Sequence, residues 1–245
     1  MKNAKNTLLV LIIIFMASCG TYTQVLTLSP TNKTGAITSD SFYVYENDTI
    51  KIAYSFWAQS GKVNFVITNK CSKPIYIDWK KCSYVFNGKK YNYYKDEIST
   101  EYTQSGYSSN VGYGTRVNKS RGKSETKVEE RVMFIPPNTS VNKSKFSISN
   151  VAAYVPDAKH HRRALNDIGG YTYKNDTNYL FFRNFITYSL SENFDKEQYI
   201  DHGFYVSNIT TMTQNDFMDE NRKIKSPLCF YNINISPYQL TSQVK

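Results

Sequence analysis

Apolar and polar residues alternate with period two along much of the chain. Val63, Phe65 and Ile67 share one face of residues 62–68, and Ile50, Ile52, Tyr54 and Phe56 share one face of residues 50–56. Successive side chains of a strand point to opposite sides, so both stretches predict half-buried strands. Residues 83–86 and 89–93 flank Asn87-Gly88. Asn-Gly supplies the two positive-φ positions of a type I′ turn, which predicts a hairpin. Further strands are expected at 42–45, 131–135, 145–148, 179–190, 202–210 and 228–235. A strand in 72–79 places Ile75 and Ile77 on one face, with Pro74 starting it after a turn and Trp79 closing the core at its far end. Pro136-Pro137 ends the 131–135 strand, because proline cannot donate to the ladder.

Helical patterning is scarce. Residues 157–168, stopped by Gly169-Gly170, and residues 214–221 are the two candidates. Thr213 with Asp216 three residues on makes a short capping box for the second. Residues 103–127 are Gly/Ser-rich and basic, with Arg116, Lys119, Arg121, Lys123 and Lys127 opposed by Glu125, and are expected to form a long mobile loop. Strands with turns about every 8–12 residues predict a mainly β fold: an antiparallel β-sandwich, Ig-like in the broad sense, with one or two short helices. A barrel is the alternative.

The amino terminus reads as an address. Met1-Lys2-Asn3-Ala4-Lys5 is followed by an apolar run from Leu8 to Ala17 and then by Ser18-Cys19-Gly20, the layout of a signal peptide. A membrane-spanning helix needs about 20 apolar residues, and this run is too short. Met16-Ala17-Ser18-Cys19 resembles the bacterial lipobox, with Met in the position usually held by Leu. That resemblance implies cleavage after Ser18, diacylation of the Cys19 sulfur and anchorage to the envelope. Each buried CH₂ contributes about 0.8 kcal/mol, so two chains hold a protein on a bilayer. The alternative is an ordinary signal-peptidase site and secretion. The expected organisation is a lipoprotein signal peptide at 1–18, lipidated Cys19 and a tether over 19–40, and a single sandwich domain at 41–245 with the loop at 103–127.

Composition refines this. Of 245 residues, 40% are hydrophobic and 15% aromatic, enough for a real core. The net charge is +10, and loss of Lys2 and Lys5 with the signal leaves +8. A positive exterior favours anionic neighbours such as lipid headgroups or acidic glycans; a lipid-anchored exported protein does not meet nucleic acid. After Cys19 three cysteines remain, Cys71, Cys82 and Cys229, an odd number. Cys71 and Cys82 bracket one predicted strand. A bridge between them would add about 3 kcal/mol in the chain-entropy model. Two free thiols are the other reading, and geometry decides between them.

Chemistry is sparse. His160 and His161 are adjacent in a predicted helix, where neighbours diverge and cannot chelate one metal well. Asp201-His202 offers an oriented imidazole, but no Gly-x-Ser-x-Gly elbow supplies a nucleophile, and Cys229 has no local catalytic context. Glu97, Glu101, Glu129 and Glu130 are the acidic residues from which a glycosidase pair would be drawn. No phosphate-cradling loop, cofactor motif or catalytic set is present, so the chain reads as non-enzymatic. Among 21 tyrosines, Tyr91, Tyr93, Tyr94, Tyr102, Tyr107 and Tyr113 are the first candidates for stacking on sugar rings; filling pleated, half-buried strands is the competing use. Asn-x-Ser/Thr sequons, among them those at Asn32, Asn47, Asn118, Asn138, Asn142, Asn175 and Asn208, carry little meaning in a bacterial lipoprotein. Asp48-Thr49-Ile50 resembles the short Asp-Ser/Thr-aliphatic motif at which Bacteroidota attach O-glycans to exported proteins, which marks Thr49.

Three longer runs also resemble stretches of uncharacterised envelope lipoproteins of Bacteroidota: residues 69–79, Phe134-Ile135-Pro136-Pro137, and Phe182-Arg183-Asn184-Phe185-Ile186-Thr187-Tyr188-Ser189. The resemblance implies an envelope location, most simply the outer membrane, and brings no reaction with it. The expected role is a lipid-anchored binding or scaffolding module whose partner is an envelope protein or an anionic glycan. The alternative role is a glycan-binding or glycan-processing surface lipoprotein.

Overall fold

Strand β1 (Tyr22–Pro30) begins three residues after Cys19 and runs between two neighbours inside the larger of two sheets. The computed structural model describes residues 21–32, 35–37, 42–95, 99–110, 116–127, 129–153, 169–172, 180–236 and Gln239, with only the backbone course over 99–127 and 169–172. Cys19, the signal segment and the helix expected at 157–168 with His160 and His161 lie outside the described residues.

The elements follow in chain order. After β1 come β2 (Ala36–Ile37), β3 (Tyr43–Glu46), β4 (Ile50–Ser55), β5 (Lys62–Asn69), β6 (Ile75–Asp78), β7 (Ser83–Phe86) and β8 (Lys89–Asn92). Next are β9 (Ser99–Asn110), β10 (Arg116–Lys127), β11 (Val132–Ile135), β12 (Ser140–Ser147), β13 (Gly169–Thr172), β14 (Phe181–Ser189) and β15 (Glu197–Thr213). Helix α1 (Gln214–Ile224) and β16 (Cys229–Ile235) complete the set.

The larger sheet runs β11-β6-β14-β15-β1-β16, with β7–β8 added on β14 and β13 added on β15; the smaller runs β12-β5-β4-β3-β2. Every pairing between named strands is antiparallel. The expected faces are present: Val63, Phe65 and Ile67 are buried while Lys62, Asn64 and Val66 are not. They meet the inward residues of the other sheet in one core that joins Ile50, Ile52, Tyr54, Phe56, Ile75, Ile77, Trp79, Phe182 and Phe204. Tyr54 of β4 and Phe56 just beyond its end pack edge-on against Phe204, and Phe56 against Phe182. The fold is an antiparallel β-sandwich.

Local chemistry explains the turns. Asn87 and Gly88 have φ of 45° and 79°, the two left-handed positions that a I′ hairpin requires. Thr213 caps α1: its hydroxyl accepts from the Asp216 N–H at 3.2 Å and donates to the Asp216 carboxylate at 2.6 Å, satisfying one orphan donor of the first turn.

Two expectations are corrected. Residues 19–40 are not a free tether throughout, because β1 takes Tyr22–Pro30 of that span into the larger sheet. Thr23 through Leu26 are buried in succession, since the sheet is covered on both sides there: Leu26 and Leu28 face the main core, and Val25 packs with Phe217 of α1, Met212 and Cys229 on the outer side. A strand buried on both faces shows no alternation. Polar Gln24 is accommodated because its side-chain amide exchanges hydrogen bonds with the backbone of Ala153, at 2.8 and 2.7 Å. The loop expected at 103–127 is instead part of a hairpin, β9 on β10, with unbroken register from Ser99↔Lys127 to Asn110↔Arg116. Twelve successive pairs form without an apolar face, so hydropathy gave no sign of the ladder.

Candidate functional site

On the outer side of the larger sheet, Tyr199 is exposed and Arg183, Phe185 and Asp201 are half-buried. Alternation along β14 turns Arg183 and Phe185 outward, and along β15 it does the same for Tyr199 and Asp201. The register Phe185↔Asp201 and Thr187↔Tyr199 makes Phe185 and Tyr199 diagonal neighbours, and their rings stack with centroids 5.6 Å apart at 22°. Tyr199 is 71% exposed, the most exposed of the large hydrophobic residues described. Beside the stack, Arg183 Nη1 lies 3.4 Å from Asp201 Oδ2. Two strands away, Tyr76 of β6 meets Phe134 of β11 edge-on at 5.6 Å, and Phe134 is 50% exposed. Ser189 pairs with both Tyr76 and Glu197 but is itself buried, as is Thr187, so the two aromatic pairs sit on neighbouring rows of the sheet with covered residues between them. Lys81 closes its margin, bonded to Glu197 and with its ammonium 5.7 Å from the Phe194 ring centre. This surface offers flat aromatic area with a paired cation and anion at its side. Such chemistry suits stacking and hydrogen bonding rather than bond breaking.

Behind it, inside the sandwich, runs a hydrogen-bond chain. Tyr93 Oη donates to Asn184 Oδ1 at 2.9 Å, and Asn184 Nδ2 donates to Tyr54 Oη at 3.1 Å. Tyr54 Oη in turn shares a hydrogen bond with His202 Nδ1 at 2.8 Å. Burial lowers His202 to a pKa of about 4 and raises Tyr54 and Tyr93 well above the usual phenol value, so all three stay neutral at pH 7. His202 also meets the edge of Tyr45 at 4.4 Å, and a cavity of about 10 Å³ lies among Tyr43, Tyr45, His202, Gly203 and Pro30. That is room for about one water. It admits no sugar or peptide side chain.

The residues singled out from sequence separate. Asp201 does not orient His202: consecutive strand residues face opposite ways, so the carboxylate meets Arg183 outside while the imidazole meets Tyr54 inside. Cys71 and Cys82 are free rather than bridged, as is Cys229. The Cys71 thiol donates to the Thr49 carbonyl at 3.6 Å, whereas Cys82 donates to the Asp78 carbonyl at 3.2 Å and accepts from the Thr187 N–H at 3.3 Å. The strand between them carries each thiol to a different partner. Burial pushes Cys82 up to about 12 and raises Cys229, leaving both as unreactive thiols.

Thr49 sits in the β3–β4 turn, half-buried, with its N–H donated to Asn47 Oδ1 at 2.9 Å and its carbonyl receiving the Lys70 N–H at 2.9 Å. For Glu129, desolvation pushes the carboxyl up, but Lys145 at 2.9 and 3.1 Å and the Lys95 N–H outweigh it, holding the group below the ordinary carboxylate range. A carboxylate so held is a poor general acid. Glu97 lies outside the described residues, as does the Glu101 side chain. Among the described residues no group of three or more His, Cys, Asp or Glu is placed to hold a metal ion.

Of the tyrosines picked from sequence, Tyr93 is a core residue and Tyr91 packs on Tyr84 and Phe146. Tyr94 is half-buried against the core. Tyr113 and the side chains of Tyr102 and Tyr107 lie outside the described residues. Phe185 and Tyr199 went unremarked as a pair because only the strand register brings them together.

The fold and this face define an antiparallel β-sandwich with an open aromatic surface. Comparison with known proteins finds no matching family model, no matching curated protein and no matching solved structure.

Proposed function

We propose that the chain is a lipid-anchored envelope protein that serves as a non-enzymatic binding or scaffolding module, with the Phe185–Tyr199 surface as its contact face. The observation that carries the reading is the exposed Tyr199 ring, held flat on Phe185 beside the Arg183–Asp201 pair. A large aromatic side chain left in solvent on an ordered sheet is the composition of an interface anchor. Anchorage at Cys19, in the outer membrane, is supported by the lipobox-like Met16-Ala17-Ser18-Cys19.

A second reading, glycan binding, is favoured by the same stack, because two nearly coplanar rings offer a platform for the apolar face of a sugar. The net positive charge favours an acidic glycan. The two readings separate in one experiment. Envelope extract is passed over the wild-type protein and over Tyr199→Ala, and both are applied to a polysaccharide array. One protein retained by wild type and lost by the variant supports the scaffold. Millimolar-or-better glycan binding lost by the variant supports the second reading. Indifference of every bound species to Tyr199→Ala overturns the assignment of this face.

A further inference from the structure

We infer that the end of the sandwich nearest Cys19 rests directly on the phospholipid bilayer, so that the Phe185–Tyr199 surface is presented at the far end of β15. The inference deepens the lipid-anchor reading and rests on it.

Covalent reach sets the first constraint. Only Gly20 separates Cys19 from Thr21, and an extended chain spans at most about 3.6 Å per residue, so Thr21 lies within about 7 Å of the Cys19 Cα. Thr21 is no part of a swinging linker. Its carbonyl accepts the Gln214 N–H at 3.3 Å and its hydroxyl donates to Gln214 Oε1 at 2.8 Å. The next residue, Tyr22, pairs on one side with Thr213 and on the other with Ile235. The anchor is therefore fastened to three chain segments at once: the start of β1, the β15–α1 junction and the end of β16. The headgroup layer on each side of a bilayer is about 5–7 Å thick, so a 7 Å link does not lift this end clear of it.

The chemistry of that end fits such a neighbour. Thr21, Thr213, Gln214, Ser236 and Gln239 are uncharged hydrogen-bonding residues, and Tyr22 is of the amphipathic type enriched where membrane meets water. The single acidic side chain in the first turn of α1, Asp216, is turned back onto Thr213.

Strand direction supplies the second constraint. From Thr213, β15 leads away from the anchored end, and Tyr199 stands fourteen residues back along it, a path of about 45 Å at strand rise. Glu192, in the turn that precedes β15, is farther still along the chain and exposed. One short link at one end and the aromatic pair at the other give a molecule that stands on the membrane with its contact face outward.

Energy transfer to the bilayer tests this with the full chain. Protein extracted from membranes is first weighed intact: a mass without acyl groups on Cys19 overturns the anchor reading and this inference with it. Acylated protein in a Cys71→Ser background is then labelled at Gln239→Cys or Glu192→Cys and placed in phosphatidylethanolamine–phosphatidylglycerol vesicles that carry an acceptor headgroup dye. Ser236→Cys and Lys196→Cys repeat the two readings, so no single variant decides. Transfer from the Gln239 position is expected to exceed that from Glu192 at least threefold. Ten Gly/Ser residues inserted between Gly20 and Thr21, a coil of about 17 Å, are expected to halve the proximal transfer at least. Equal transfer from both ends, or proximal transfer unmoved by the insertion, overturns the orientation and leaves the anchor standing.

Discussion

Tyr54 on β4 and His202 on β15 join the two sheets through one buried hydrogen bond, Oη to Nδ1 at 2.8 Å. Among the described residues the imidazole has no charged partner inside the sandwich; Asp201 and Arg183, beside it along and across the sheet, pair with each other on the outer face.

That arrangement makes stability depend on acid. Burial holds His202 near a pKa of about 4 in the folded chain, whereas an unfolded histidine titrates near about 6.5. Between these values the unfolded chain binds the proton that the folded chain refuses. Stability is therefore intact above about pH 6.5 and falls as pH drops toward 4, by about 3 kcal/mol in total. Urea unfolding of wild type and His202→Gln from pH 7 to 4 measures it, since glutamine accepts from Tyr54 without titrating. Parallel curves would remove His202 as the source.

Tyr54→Phe tests the chain itself. It leaves Asn184 Nδ2 and His202 Nδ1 buried without their shared partner, and orphaned buried groups cost about 1–3 kcal/mol each. A loss in that range is expected at pH 7. An unchanged melting temperature would mean the hydroxyl contributes nothing to joining the sheets.

Face assignment is checked on β5. Phe65 is buried against Tyr54 and Tyr93, so Phe65→Ala is expected to cost about 3–5 kcal/mol. Asn64, pointing the other way, should cost under about 1 kcal/mol on substitution by Ala. Similar shifts for the two variants would contradict the burial difference.

Thiol counting checks the cysteines. With Cys19 acylated, three free thiols are expected after denaturation without reductant, and in the native protein Cys71 should react first, because Cys82 and Cys229 are buried with raised pKa values. One free thiol in place of three would restore a bridge.

The proposed lipid anchor at Cys19 has its own assay. Cys19→Ser should abolish alkyne fatty-acid labelling and release the protein from membranes; label that persists in the variant would defeat it.

What alternation could state, it stated correctly. The inward faces of β4, β5 and β6, the Asn87-Gly88 hairpin and the Thr213 cap all depend on neighbours within a few residues, and they were legible for that reason. The lipobox-like run ending at Cys19 is likewise a local signal. Other features depend on residues far apart in the chain. β1 hid because α1, from the other end of the sequence, covers its second face and erases the alternation; the β9–β10 ladder hid because it pairs polar residues with polar residues. Cys71 and Cys82 are close in sequence, yet Thr49 and Thr187 draw their thiols apart. Phe185 and Tyr199 become a surface only through the β14–β15 register, and Tyr54 reaches His202 across 148 positions. Local patterning dictates which way a side chain faces. Only the packing of distant strands decides what it meets there.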